Sequence, residues 1–375
     1  MVLISLLGDF DSLVIPVFFE YKDEITTHIL ARNIANESEK KAARIMLGLS
    51  RIRQKYRLKC TLREMQIEAG EKGRDHLFSI IALAESIKQF APPNQLYINL
   101  SDGAASDAII LSRELLDYGA NIIISDRFKN DITILTNNEM KKRYIKNSMG
   151  IEDHIISKGY EILSYKTKNA LENKREYIEA ITRNFPIFQR YRKRVIEYKE
   201  IDEERYSAII PALVKLGATD RRGRPTDENY IKGGLFEEII YFLAKKLAFD
   251  DIMTSVQVRY ESINNIKIEN EFDILAIKEN HLYIIECKFR DRLDGENLIY
   301  KYDALIKQMD NDGKVMIINV ASTESKEALK RGKKIHKNFE KGAIYRAQLN
   351  NISIYYEPTL ETNKLIAKMR SFFNV

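Results

Sequence analysis

The sequence predicts an α/β protein of two domains, the first built on a doubly wound, Rossmann-like sheet and the second a compact mixed α/β unit. Three observations predict it. At 375 residues the chain exceeds the ~250 beyond which single cores stop growing and chains divide. Up to about residue 135, short apolar runs alternate with amphipathic stretches, the pattern of parallel strands and their covering helices. From about residue 230 the pattern changes to a long apolar helix, a strand, a hairpin, a second helix and a further strand.

Each element follows from its local pattern. Leu3 to Leu7, Ile25 to Leu30, Leu96 to Leu100 and Asn121 to Ser125 read as strands, each a short apolar run. Glu37 to Tyr56, Arg74 to Phe90 and Asp107 to Tyr118 carry helical periodicity. Residues 141–225 are rich in charge and tyrosine and contain Arg190-Tyr191-Arg192-Lys193-Arg194 and Arg221-Arg222-Gly223-Arg224-Pro225. They read as a helical connector with a hinge near Gly223. Beyond it come a helix at Gly234 to Leu247, a strand at Ser255 to Tyr260, a hairpin at Asn270 to Phe289, a helix at Glu296 to Met309 and a buried strand at Lys314 to Val320. The expected division is 1–140, 141–225 and 226–375.

Composition narrows the function. Hydrophobic residues make up 45% and charged residues 30%, which excludes wholesale disorder. Sixty basic against fifty-four acidic side chains give a net charge of +6, which permits polyanionic partners without requiring them. Two distant cysteines, Cys60 and Cys287, and five scattered histidines argue against a disulfide framework and a structural zinc site. The opening Met-Val-Leu-Ile-Ser-Leu-Leu-Gly lacks a charged leader, and no apolar run approaches the ~18 residues needed to cross a bilayer. A cytoplasmic protein with no membrane partner is expected.

The hairpin carries the sharpest chemical signal. If Glu279-Asn280 is a two-residue turn, counting outward along both strands sets Asp273 opposite Glu286 and Glu271 opposite Lys288. Side chains facing each other this way are ~5 Å apart at Cβ, and two carboxylates there repel unless a cation lies between them. A divalent metal resolves the conflict, since Mg²⁺ takes one or two carboxylates and fills its shell with water and phosphate oxygens. Lys288, two residues beyond Glu286, projects from the same face and can hold a nucleophile or meet charge on a phosphoryl group. At 100° per residue Glu238 shares a polar arc with Lys245 and Lys246, whereas Glu237 turns inward among Ile240, Tyr241 and Ala244, where a metal would compensate it. The competing reading is an edge hairpin, with Asp273 and Glu286 in solvent and Glu271–Lys288 an ordinary ion pair.

Gly233 to Glu238, Asn270 to Asp273 and Ile285-Glu286-Cys287-Lys288 resemble the PD-(D/E)xK, restriction-endonuclease-like core, in the version fused to a CARF domain in type III CRISPR ancillary nucleases. The resemblance implies that Glu237, Asp273 and Glu286 bind Mg²⁺ or Mn²⁺ and that Lys288 assists phosphodiester hydrolysis on DNA, RNA or both. Phe272 stands where that family often has proline.

In the first domain, a Rossmann-like sheet binds ligands at the carboxyl ends of its strands. Two loops qualify. The first contains Gly8, Asp9 and Phe10; the second runs Asn99-Leu100-Ser101-Asp102-Gly103-Ala104-Ala105-Ser106, small residues whose bare N–H groups suit an anion. Thr26, Thr27 and His28 are expected to add side-chain contacts. The order of the two domains resembles that of CARF nucleases, which implies a homodimer sensing a cyclic oligoadenylate, cyclic tetra-adenylate first and the hexa-adenylate second, in antiviral defence. The second loop departs from the CARF pattern, which places hydroxyl residues and then Lys or Arg there. A ligand-independent restriction or repair nuclease and a non-catalytic nucleotide-sensing regulator remain the alternatives. The segment from Lys326 to Arg346 is strongly basic and suits a nucleic-acid backbone, with Tyr345 available for stacking.

Overall fold

The computed structural model describes residues 1–8, 13–33, 36–67, 73–102, 105–126, 129–261, 267–290, 295–310, 312–321 and 341–375. Asp9, Phe10, Gly103, Ala104 and the basic residues between 326 and 340 therefore lie outside the described residues. The chain forms two compact units, residues 1–161 with 260–267, and residues 162–259 with 268–375. The stretch read as a connector contributes to both.

The first unit holds a seven-stranded sheet. Its strands are β1 (Val2–Leu7), β2 (Thr27–Asn33), β3 (Thr61–Ile67), β4 (Leu96–Asn99), β5 (Asn121–Asp126), β6 (Asp131–Leu135) and β7 (Met140–Tyr144), in the order β3-β2-β1-β4-β5-β6-β7. The first five run parallel, and β6 and β7 are antiparallel additions. This is the doubly wound order, with its switch point between β1 and β4. Strand alternation builds two cores. Leu3 and Leu7 pack with Leu30 beneath α1 (Val14–Glu20) and α2 (Asn36–Tyr56), while Ile4, Leu6, Ile29 and Ile98 pack beneath α3 (Gly73–Lys88) and α4 (Ala105–Tyr118). Within this sheet, the strands missed from the sequence are β3, β6 and β7. Edge strands such as β3 and β7, with sequences Thr-Leu-Arg-Glu-Met-Gln-Ile and Met-Lys-Lys-Arg-Tyr, face solvent and lack an apolar run. A short helix α5 (Ile151–Ser157) follows, packed so closely on α2 that a Cβ on Gly48 would lie 2.0 Å from the Ser157 carbonyl oxygen.

The second unit holds a six-stranded sheet of β8 (Glu161–Lys166), β9 (Asp251–Glu261), β10 (Lys267–Lys278), β11 (His281–Phe289), β12 (Lys314–Val320) and β13 (Ile352–Glu357), in the order β13-β12-β11-β10-β9-β8. Four helices, α6 (Lys168–Glu172), α7 (Arg175–Arg183), α8 (Phe185–Ile196) and α9 (Ile210–Lys215), share one core with α10 (Leu235–Ala244) and one face of this sheet. Next come α11 (Gly295–Met309), α12 (Lys341–Leu349) and α13 (Thr362–Phe373). Gly223 is a packed turn rather than a hinge. It has φ +74°, its carbonyl accepts the Tyr191 hydroxyl at 2.8 Å, and a Cβ there would meet Ile210 at 2.8 Å. Among the described residues, no helix is long and apolar enough to cross a membrane.

Candidate active site

The hairpin forms in the predicted register. Ile274 pairs with Ile285 and Lys278 with His281, around a turn in which Glu279 and Asn280 have φ +53° and +65°, as a two-residue hairpin turn of the twisted kind requires. β11 is an interior strand, so the edge-hairpin reading fails: Glu286 is only 3% exposed. Beyond Ile274 the Asp273 carboxylate accepts the Cys287 backbone N–H at 2.7 Å, and the Thr254 hydroxyl donates to the Asp273 carbonyl at 2.7 Å. Lys288 forms an ion pair with Glu286 and lies 3.9 Å from Asp273. The Glu271–Lys288 ion pair of that competing reading does not form, because the ammonium turns to Asp273 and Glu286, as expected of the site reading, and Glu271 stays exposed. Tyr302, fully buried on α11, donates its hydroxyl to the other Glu286 oxygen.

A single π-helical turn, Tyr230–Gly234, leads into α10, the kind of local unwinding that often accompanies a functional site. Glu237 is half-buried, as expected for an inward residue, with the Ser255 hydroxyl 3.5 Å from its carboxylate. Ser255 has φ +53° within β9, an unusual conformation for serine and a local break in the strand beside Glu237. Glu238 corrects the helical-wheel reading. It is fully buried, with Lys166 at 3.0 Å, Lys174 at 3.5 Å and the Tyr230 hydroxyl at 2.6 Å. Partners from three other elements compensate its charge, and a wheel drawn on one helix cannot show them.

The electrostatics of these groups are strongly interdependent. Burial, reinforced by Glu286, pushes the Asp273 carboxyl well above the usual range, against the pull of Lys288. Burial also raises Glu237; Lys166 and Lys288 oppose that shift, while Glu271 and Glu286 add to it. For Lys288, burial favours the neutral form, but Asp273 and Glu286 more than offset it and hold the ammonium charged. Asp273, Glu286 and Glu237 thus have Lys288 as their shared near cation. All-oxygen donors of this kind fit Mg²⁺ or Mn²⁺, so the residues present suit the expected metal. They are not drawn tightly together: among the described residues, the group whose ligand atoms all lie within 4.8 Å of one another is His281, Asp310 and Asp312, at the opposite end of β11. There both Asp310 oxygens already accept backbone N–H groups, from Leu282 at 2.8 Å and Asp312 at 3.0 Å, pinning the turn into β12.

Tyr302, Lys166 and Arg192 were not legible as site residues. Tyr302 sits on an apolar helix face with Ile299 and Leu305, where a tyrosine reads as core. Arg192, counted as part of a basic cluster, is buried over the Phe289 ring and donates to the Lys232 and Phe289 carbonyls, so it braces the turn before α10 against the end of β11. In the basic tail, Tyr345 is exposed and Arg346 lies 4.3 Å from the Tyr300 ring.

The expected ligand residues of the first unit divide between two ends of its sheet. Gly8 follows β1, and Asn99, Ser101 and Asp102 end or follow β4, all at the carboxyl edge. Asn99 is buried and accepts from the Ser101 backbone N–H at 3.1 Å, and Ser101 accepts the Ser125 N–H at 2.7 Å. Asp102 is buried, Ala105 and Ser106 begin α4, and Lys41 of α2 donates to the Gly8 carbonyl, bringing a cation to this edge. Thr26, Thr27 and His28 lie at the other edge, because β2 begins at Thr27 and runs parallel to β1. Thr26 bonds to the Met1 carbonyl at 2.9 Å, and His28 is buried against Ser5 at 3.0 Å.

Residues 226–346 match the family model of the Card1-like endonuclease domain. The whole chain has the fold of protein VC1899 from Vibrio cholerae, with TM-score 0.74 at 14% identity over 100% of this chain and 98% of that one. It shares that fold with Can2 from Sulfobacillus thermosulfidooxidans, solved in complex with cyclic tetra-adenylate, with TM-score 0.66 at 16% identity over 100% and 99%. A type III CRISPR defence DNA nuclease activated by cyclic oligoadenylate aligns with TM-score 0.51 at 14% identity, over 86% of this chain and 45% of that one. No curated protein matches the sequence. The resemblance to CARF nucleases and the two-part α/β fold are therefore upheld.

Proposed function

We propose that this chain is a metal-dependent endonuclease, switched on by a cyclic oligoadenylate bound at the carboxyl edge of its first sheet, and acting as a homodimer on DNA, RNA or both in type III CRISPR defence. The observation that carries the catalytic half is the meeting of Asp273, Glu286 and Lys288 on buried central strands within a segment that matches an endonuclease domain. Cyclic tetra-adenylate is the first activator to expect, since it is bound in the Can2 structure, which shares the fold of the whole chain.

Glu237, Asp273 and Glu286 would hold Mg²⁺ or Mn²⁺, which when bound supplies an acidified water and charge for the scissile phosphate. The protein groups do the rest. Tyr302 ties down one Glu286 oxygen and leaves the other facing Lys288. Thr254 fixes the Asp273 backbone, so the carboxylate approaches from one direction. The Lys288 ammonium, kept charged, orients the attacking water or meets charge developing on the phosphoryl oxygens.

Supercoiled plasmid and labelled single-stranded DNA and RNA, incubated with Mn²⁺ or Mg²⁺ and with or without cyclic tetra- and hexa-adenylate, test the proposal. Cleavage that requires both metal and one cyclic ligand is expected. Cleavage without ligand would keep the nuclease and remove the switch, and no cleavage under any condition would overturn the catalytic reading.

A further inference from the structure

Asn319 stands on β12 in register with Lys288 on β11, and partners in a parallel ladder project from the same sheet face. It is 1% exposed. Its side-chain Nδ2 donates to the Arg290 carbonyl at 3.1 Å. A carbonyl only accepts, so that contact fixes which end of the amide is which. The Oδ1 end has no hydrogen-bond partner among the described residues. A buried carbonyl left unused one strand away, ~4.8 Å across the sheet from the Lys288 backbone, is an acceptor without a donor.

Lys288 has the converse problem. Its ammonium rests on Glu286, with Asp273 at 3.9 Å, on carboxylates that would bind the metal. A divalent cation there repels an ammonium at such a distance and takes away its acceptors. The ammonium is buried enough to need a replacement.

We propose that Asn319 is a positioning residue of the nuclease site: its Oδ1 receives the Lys288 ammonium when a divalent cation displaces it from Glu286. This rests on the metal-dependent reading given above. Asn319 touches neither metal nor substrate; it acts through Lys288, keeping the cationic group beside the site but off the metal ligands. Without Asn319 the ammonium loses this buried acceptor and competes with the metal for Glu286.

Calorimetric titration of Mn²⁺ into the full chain tests this without depending on cleavage. Glu286→Gln should weaken Mn²⁺ binding at least about tenfold, which tests the metal site itself. Asn319→Ala should weaken it about fivefold in the otherwise native protein, yet change it less than about twofold in a Lys288→Met background, where no ammonium competes. Asn319→Ser, smaller but still polar, serves if the alanine variant does not fold, and thermal unfolding checks each protein. An equal loss in both backgrounds, or no loss in the native one, overturns the role of Asn319 while leaving the metal site standing. Undiminished binding by Glu286→Gln overturns the metal site and the inference with it.

Discussion

The two sheets handle buried charge in opposite ways. In the first unit several buried charges have a countercharge of their own: Arg32 pairs with Glu64, Glu20 with Arg143, and Asp131 with Lys142. The remaining polar groups on its central strands, Ser5 with His28 and Asn99 with Ser101, form neutral hydrogen bonds. In the second unit Asp273 and Glu286 share the single ammonium of Lys288, with Glu237 within electrostatic reach. One helical residue later, Glu238 is met by two lysines and a tyrosine, one of which, Lys166, also acts on Glu237. Balanced pairs hold a fold together. A deficit of positive charge inside a sheet is the arrangement the proposed metal site needs.

If that contrast is functional, the largest effects come from the unbalanced set. Glu286→Ala or Lys288→Ala should reduce cleavage by about a thousandfold or more while thermal unfolding stays near native, measured by single-turnover cleavage with Mn²⁺ and activator. Retained cleavage would sink the assignment. Lys41→Ala should weaken activator binding about tenfold, whereas Thr26→Ala, at the opposite edge of the same sheet, should change it less than about twofold in a direct binding titration. A reversal of those two would move the ligand to the amino edge. Tyr302→Phe removes the donor to Glu286 and should lower the cleavage rate by about tenfold, roughly the value of one hydrogen bond to a charged group.

The smallest effect tests the balanced sheet. Burial holds the His28 imidazole down to about 3, against 6.5 when free. The unfolded chain therefore takes up a proton that the folded one refuses. The stability this histidine permits is complete above about pH 6.5 and is lost as pH falls toward 3, on the order of 1 kcal/mol per pH unit. Denaturant unfolding between pH 7 and 4 should be less pH-sensitive in His28→Leu than in the native protein. Equal slopes would mean that His28 reaches solvent.

Much of the fold could be read from sequence because periodicity is a local property. The predicted strand at Lys314 to Val320 matches β12 end to end, and the Glu279-Asn280 turn set the hairpin register because a two-residue loop leaves one pairing. Edge strands escaped because half-solvated segments carry no apolar run. Within the candidate site, Asp273, Glu286 and Lys288 were legible as a charged set inside apolar strands. Glu238, Tyr302 and Asn319 were not, since each looks ordinary until the side chains it meets come from elements distant in sequence.

By itself, then, the sequence determined two α/β units, the hairpin register and the acidic and basic groups on the hairpin strands, all consequences of period and turn chemistry. Only the tertiary structure decided which charges are balanced: that Glu238 is neutralised from three sides, that Lys288 turns to Glu286 rather than Glu271, that His28 lies at the amino edge of the first sheet, and that Asn319 is left with an unused oxygen. The physical reason is range. Secondary structure is set by neighbours a few residues away, whereas burial and electrostatic compensation depend on whatever the fold brings within a few ångströms.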